Sequence, residues 1–339
     1  MLRRFFMLLL CACLLLSGCA FPTAPTQYQC TYLTLFDTVT TITGRASDEQ
    51  IFQAAAKKIH DRLEEYHRLF DIYKNYPGVN NLKTINDQAG IAPVKVDPVI
   101  ISLLLRCKEY YDLTDGRVNA AMGSVLTLWH EARSASLDTP QSAYLPDAAA
   151  LQEAAKHTSW DAIIINEEAC TVYISDPLTR LDVGAIAKGW AAEQAAEDAP
   201  EGFLINLGGN VRATGAKDEN GTPWKVGIQN PRGEDYLHIL SLTQGSAVTS
   251  GDYQRTYTVD GKAYHHIIDP ETGYPAEYWS SVTIVCEDSA LADALSTALF
   301  LMSREDGQAL LDRCNAEALW VNTQGQQFSS PGFHAMIQN

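Results

Sequence analysis

Apolar and polar positions recur along the chain with two periods. From Asp48 to Phe70 they follow helical spacing, with Ile51, Ala55, Ile59, Leu63 and Tyr66 on one face, which predicts an amphipathic helix. Pro98–Tyr111, carrying Leu103, Leu104 and Cys107, predicts a second helix, Ala148–His157 a short third and Ala187–Glu197 a fourth. Asp288 can cap a further helix running through about Ser303. Between them lie strand signals. Thr31–Thr43, rich in Thr, Val and Leu, predicts strands around Phe36-Asp37-Thr38. Ala162–Ile165 and Thr171–Ile174 predict a pair turning at Asn166-Glu167, and Phe203–Asn206 a buried strand that ends at Gly208-Gly209. Trp224–Ile228, Leu237–Leu242 and Ser281–Cys286 are further strands, and Tyr257–Val259 has a hairpin partner across Asp260-Gly261. Hairpins interleaved with helices predict a mixed α/β (α+β) architecture. Neither GxGxxG nor GxxxxGK[ST] occurs, which disfavours a dinucleotide-binding Rossmann fold and a Walker A loop.

The start of the chain has a different pattern. Arg3 and Arg4 precede an unbroken apolar run from Phe5 to Leu16, followed at once by Ser17-Gly18-Cys19. A basic start, a short apolar stretch and small residues mark a secretory signal. The run is too short for a permanent membrane span, and no other segment approaches one. Leu16-Ser17-Gly18-Cys19 resembles the lipobox of bacterial lipoproteins. That resemblance implies removal of residues 1–18 and a lipid on Cys19, which would hold the protein at the cell membrane on its extracytoplasmic side. Residues 19–30, with two prolines and two threonines before Gln27, read as a tether, and 31–339 as the folded domain.

Composition narrows the chemistry. With 46% apolar and 19% charged residues over 339, the chain is globular rather than disordered, collagen-like or coiled-coil. Lys and Arg number 25 against 41 Asp and Glu, a net charge of −16, which argues against nucleic-acid binding. A phosphate-bearing ligand then needs a local device, a metal or backbone N–H groups. Of eight cysteines, Cys11 and Cys13 fall in the apolar run and Cys19 in the lipobox. Cys30, Cys107, Cys170, Cys286 and Cys314 are odd in number and include no CxxC, which predicts neither a disulfide framework nor a thiolate zinc site.

Four strings carry candidate chemistry, and each has a purely structural reading as well. Leu181–Trp190 (LDVGAIAKGW) delivers Asp182 from a strand to a small-residue turn that opens a helix, where N–H groups and Lys188 can face an anion; it also reads as a plain strand-to-helix corner. Asn206-Leu207-Gly208-Gly209-Asn210 permits close approach of a ligand, or only a tight turn. Ser246–Pro275 contains Thr249-Ser250-Gly251-Asp252-Tyr253, the adjacent His265 and His266, and the turn Asp269-Pro270-x-Thr272-Gly273. Neighbouring residues of a strand point in opposite directions, so at most one of the two histidines faces a given site as a base. Asp293 and Thr297, i and i+4 on an otherwise small and apolar helix face, offer oxygens suited to Mg2+, or form a surface polar pair.

Taken together with Phe36-Asp37-Thr38 and Ala292–Ala298, these strings resemble the ApbE family of FAD:protein FMN transferases from about Leu33 to about Leu311. The resemblance implies a mixed α/β flavin-transferase fold with a flavin cleft. It also implies a Mg2+-dependent reaction in which FAD is the substrate, FMN is placed through a phosphoester on a Thr or Ser hydroxyl of an acceptor protein, and AMP leaves. By position, Asp293, Thr297 and the Ala185 carbonyl would hold the metal, with Ser296 at a further ligand position. Phe36, Tyr73, Arg117, Val118, Asn119, Asp182, Lys188 and Tyr264 would contact FAD, and His266 would be the base. Asn119 stands where many members have aspartate and Phe36 where many have methionine. An extracytoplasmic enzyme would meet membrane redox subunits as acceptors. The alternatives are an FAD pyrophosphatase giving FMN and AMP, and a flavin-binding lipoprotein without turnover.

Overall fold

A computed structural model describes residues 25–338. The expected signal, Cys19 and the first part of the expected tether lie outside the described residues. In chain order the elements are β1 (Thr26–Tyr32), β2 (Thr40–Ala46), α1 (Glu49–Phe70), α2 (Leu82–Asp87), β3 (Val94–Lys95), α3 (Pro98–Leu113), α4 (Gly123–Asp138), α5 (Ala148–Ala154), β4 (Ile163–Asn166), β5 (Thr171–Ile174), α6 (Ala187–Glu197), β6 (Phe203–Leu207) and β7 (Asn210–Ala213). They continue with β8 (Trp224–Gln229), β9 (Tyr236–Leu242), β10 (Gly245–Gly251), β11 (Tyr257–Val259), β12 (Lys262–Tyr264), β13 (Ser281–Cys286), α7 (Ser289–Phe300), α8 (Arg304–Leu311), β14 (Ala316–Val321) and β15 (Gln327–Ser329).

The frame is an eight-stranded antiparallel sheet in the order β1-β2-β6-β7-β10-β13-β14-β15. Its central strands are buried on both faces because consecutive residues serve different cores. On β13, Ile284 joins the larger core beneath the helices while Val285 joins a second core beneath the β8–β9 hairpin, which covers the other face. Such a strand reads as a continuous apolar run. Helix α7 lies on β10 and β13 and packs against α6. Only Leu291 and Thr297 of its residues are not buried, so it is apolar nearly all round. Any polar group on it, Asp293 above all, therefore needs a partner or a ligand. A third cluster joins α4 to the β11–β12 hairpin through Trp129, Tyr257 and Ile268.

Three expectations change. Residues from Thr26 belong not to a tether but to β1, which pairs with β2 from Thr26↔Ala46 to Tyr32↔Thr40. This is an edge strand: Tyr28, Cys30 and Tyr32 turn inward and polar residues face out, a composition that imitates a linker. Phe36-Asp37-Thr38 does not form strand. It lies at a 3-10 turn in which Phe36 (φ 52°) and Asp37 (φ 53°) are both left-handed, an uncommon backbone for such residues. On α1 the buried face runs through Phe52, Ala56, Ile59, Leu63 and Tyr66, leaving Ile51 exposed. The five cysteines within the described residues are free, with Cys107 and Cys286 buried.

Candidate active site

A cleft of about 640 Å3 opens where α4, the Asp182–Lys188 corner, the Gly208–Asn210 turn, the segment after β10, the His265–Ile268 segment and α7 converge. Of the residues singled out in the sequence, Tyr73, Arg117, Val118, Asn119, Asp182, Ala185, Lys188, His266, Asp293 and Thr297 all line it.

At one end lies the α6–α7 contact. Gly189 makes it possible: a Cβ there would sit 2.2 Å from the Ser289 carbonyl oxygen and 2.5 Å from Asp293 Cβ. The close approach lets the Gly189 N–H, in the first turn of α6, donate to Asp293 Oδ2 at 2.8 Å. A carboxylate is thus buried against a helix N-terminus, where both the free N–H and the helix dipole favour its charge. Asp293 Oδ1 has Lys188 Nζ at 3.5 Å. The Thr297 hydroxyl, one turn on, makes no hydrogen bond to a described residue. Asp293 and Thr297, one turn apart on α7 and lining the same cleft as Ala185, offer oxygen donors whose chemistry fits a hard cation such as Mg2+. Ser296 does not join it. Its buried hydroxyl is taken by Ser250 Oγ at 2.8 Å and the Asp293 carbonyl at 2.9 Å, and it does not line the cleft.

The Asp182 corner is closed on itself. Asp182 Oδ1 accepts from the Gly184 N–H at 2.8 Å, and the N–H groups of Ile186 and Ala187 both bond the Val183 carbonyl. With Gly189 engaged by Asp293, four of the corner's N–H groups have internal partners, and the anion-binding backbone expected there is not what the structure presents. Burial raises the Asp182 pKa, opposed by the Gly184 hydrogen bond and by Arg255 and His130.

His266 Nδ1 is 3.2 Å from the Gln254 carbonyl oxygen. A carbonyl only accepts, so Nδ1 carries the proton and Nε2 keeps its lone pair. The ring retains accessible surface in the cleft, yet the enclosing protein, then Arg255, Lys188 and His265, push its pKa down to about 3. His265 is structural by comparison: Nε2 bonds the Ala276 carbonyl at 2.8 Å, and Nδ1 accepts from the Ile267 N–H.

Two further expected contacts fall outside the cleft lining. Phe36 turns onto His67, with ring centroids 5.6 Å apart, and its N–H donates to His67 Nδ1. The left-handed turn hands its place in the wall to Asp37 and Thr38. Tyr264 stacks on Trp129, and its β-hairpin neighbour Tyr257 lines the cleft instead. Asn119 is mostly a brace, donating to the Thr158 carbonyl and accepting from the Ala121 N–H. Arg117 pairs with Glu271 at 2.9 Å. Sequence reasoning missed His130 and Arg133, because α4 starts without a side-chain cap and its buried stripe of Val125, Trp129, Ala132 and Ser136 is only weakly apolar. It also missed Arg255, which sits in the string after Asp252-Tyr253 with no periodic signal.

The ApbE family model matches residues 33–320. A Klebsiella pneumoniae (strain 342) protein named FAD:protein FMN transferase is 32% identical over 277 residues, covering 79% of this chain and 82% of its own. A Treponema pallidum protein of the same name is 34% identical over 279 residues, covering 76% of this chain and 75% of its own. The crystal structure of an ApbE protein from Thermotoga maritima superposes with a TM-score of 0.82 at 31% identity, over 93% of this chain and all of that one.

Proposed function

The chain belongs to the ApbE family, and from that premise we propose that it is an FAD:protein FMN transferase, dependent on Mg2+, that moves FMN from FAD to a Thr or Ser hydroxyl of an acceptor protein and releases AMP. The observation that carries this reading is the meeting, in one cleft, of a cation-ready oxygen set at Asp293 and Thr297 with a neutral imidazole at His266. When bound, Mg2+ would neutralise phosphate oxygens and polarise the phosphorus. Lys188 adds a charge beside Asp293 at the same end. His266, with its proton fixed on Nδ1 by Gln254, offers Nε2 to take the proton of an incoming hydroxyl, which is a poor nucleophile until a base is within hydrogen-bond reach. Asp182, Val118 and Tyr73 supply cleft wall for the rest of FAD.

The reading is tested at Asp293. Asp293→Asn keeps the shape and an acceptor for the Gly189 N–H but removes the charge. It is expected to lower Mg2+-dependent FAD turnover by at least about 100-fold, with partial recovery at high Mg2+ and an unchanged circular dichroism spectrum. Turnover at the wild-type rate with limiting Mg2+ would remove Asp293 from the metal site.

A further inference from the structure

We propose that Arg133 and Arg255 form an oxyanion subsite that takes the adenylate-side phosphate of FAD and holds the leaving AMP. The inference deepens the transferase reading and rests on it. Both side chains line the cleft. In a chain of net charge −16, six of the twelve arginines among the described residues pair with a carboxylate, namely Arg62, Arg68, Arg106, Arg117, Arg212 and Arg232; Arg45, Arg180, Arg304 and Arg313 do not, but none of these four lines the cleft. Arg133 and Arg255 have none within ion-pair distance among the described residues. Arg255 makes one long hydrogen bond, 3.4 Å to the Phe36 carbonyl, and Arg133 makes no side-chain hydrogen bond to a described residue. The two guanidiniums repel each other, and burial together with Arg255 lowers the Arg133 pKa. Asp37 acts on Arg133, and Asp182 on Arg255, only at longer range. Arg255 is also held in a left-handed backbone (φ 46°) that a non-glycine residue rarely adopts. Two cations without a carboxylate partner, one from helix α4 and one from a left-handed turn, that line the same cleft are arranged for an anion that arrives from outside.

The chemistry says which anion. The Asp293–Lys188 end can serve one phosphate, and the N–H groups of the Asp182 corner are largely consumed within the chain. The second phosphate therefore needs side-chain cations. In the transfer, the acceptor hydroxyl oxygen bonds to the flavin-side phosphorus, and the bond from that phosphorus to the bridging oxygen breaks. The bridging oxygen leaves with its electron pair as part of AMP, and the hydroxyl proton passes to the base. Negative charge thus builds on the adenylate phosphate, where guanidiniums bind it most strongly in the transition state.

The test is calorimetry with FAD, AMP and riboflavin, Mg2+ present, on wild type, Arg133→Gln, Arg255→Gln and Arg255→Lys. Losing a charge-assisted contact should weaken FAD and AMP roughly 10–100-fold in each Gln variant, leave riboflavin unchanged, and be partly reversed in Arg255→Lys. Unchanged FAD affinity in both Gln variants would overturn the proposal. So would equal weakening of riboflavin, which marks a general distortion, or a raised acceptor KM with FAD binding intact, which assigns the pair to the acceptor. Wild type binding FAD no better than riboflavin would instead strike the transferase reading beneath it, before any variant is considered.

Discussion

His266 owes its usefulness to what surrounds it. A histidine of ordinary pKa is partly protonated near neutrality and then cannot accept a proton. Here the enclosing cleft, Arg255 and Lys188 keep the ring neutral, with its pKa pushed from 6.5 to about 3, and Gln254 fixes the tautomer. The sign follows from linkage. On acidification the unfolded chain takes up this proton first, so the residue costs stability progressively as pH falls below its ordinary value of 6.5, and nothing above it. NMR of the free enzyme, assigned with His266→Ala, should find the ring neutral and protonated on Nδ1 from pH 8 down to 5. Titration near 6.5 would contradict the geometry. In the proposed complex, bound phosphates would raise the value again, toward the range where a base works best. His266→Ala should slow transfer about 10²–10⁴-fold while changing FAD affinity far less, because a base acts mainly in the transition state.

At the scale of elements, the site depends on the α6–α7 contact. Gly189→Ala would place a methyl against the Ser289 carbonyl and Asp293. Neither neighbour is the free end of a flexible side chain, so the helices must part. Overpacking of this kind costs about 1–3 kcal/mol, read as a lower urea midpoint, and should weaken Mg2+ affinity in parallel because the Gly189 hydrogen bond to Asp293 goes with it. Unchanged midpoint and affinity would mean the helices are not held as close as described. The same contact shows what the sequence could disclose. The Asp293–Thr297 spacing, the Asp182–Lys188 corner and the strand Phe203–Leu207 were legible because period and turn chemistry are local properties. What was not legible depended on tertiary partners. Ser296 looks like a ligand until Ser250, from β10, takes its hydroxyl. Phe36 looks like part of a strand until His67, from α1, captures it in a left-handed turn. Arg133 and Arg255 come from segments far apart in sequence and meet only when α4 packs beside the β11–β12 hairpin.

Across the whole molecule, one sheet carries helices on one face and the β8–β9 hairpin on the other, and the cleft gathers residues from both halves of the chain. A net charge of −16 repels a dinucleotide, so on the proposed reading binding would rest on local cations: Lys188, Arg133, Arg255 and an ion at Asp293 and Thr297. A cleft that works as proposed would activate the pyrophosphate for any nucleophile, and water is always present. On this reading, what would distinguish transfer from hydrolysis is whether His266 serves a protein hydroxyl, and metal dependence is blind to that. The most direct measurement incubates the enzyme with FAD and Mg2+, with and without an acceptor protein bearing a candidate Thr or Ser. It follows the acceptor by intact-mass spectrometry and the nucleotides by chromatography. The account predicts slow FAD consumption alone. With acceptor it predicts fast consumption, one AMP released per FMN gained, and loss of the mass gain when the acceptor residue is changed to Ala. Free FMN formed equally fast with and without an acceptor of unchanged mass would contradict it.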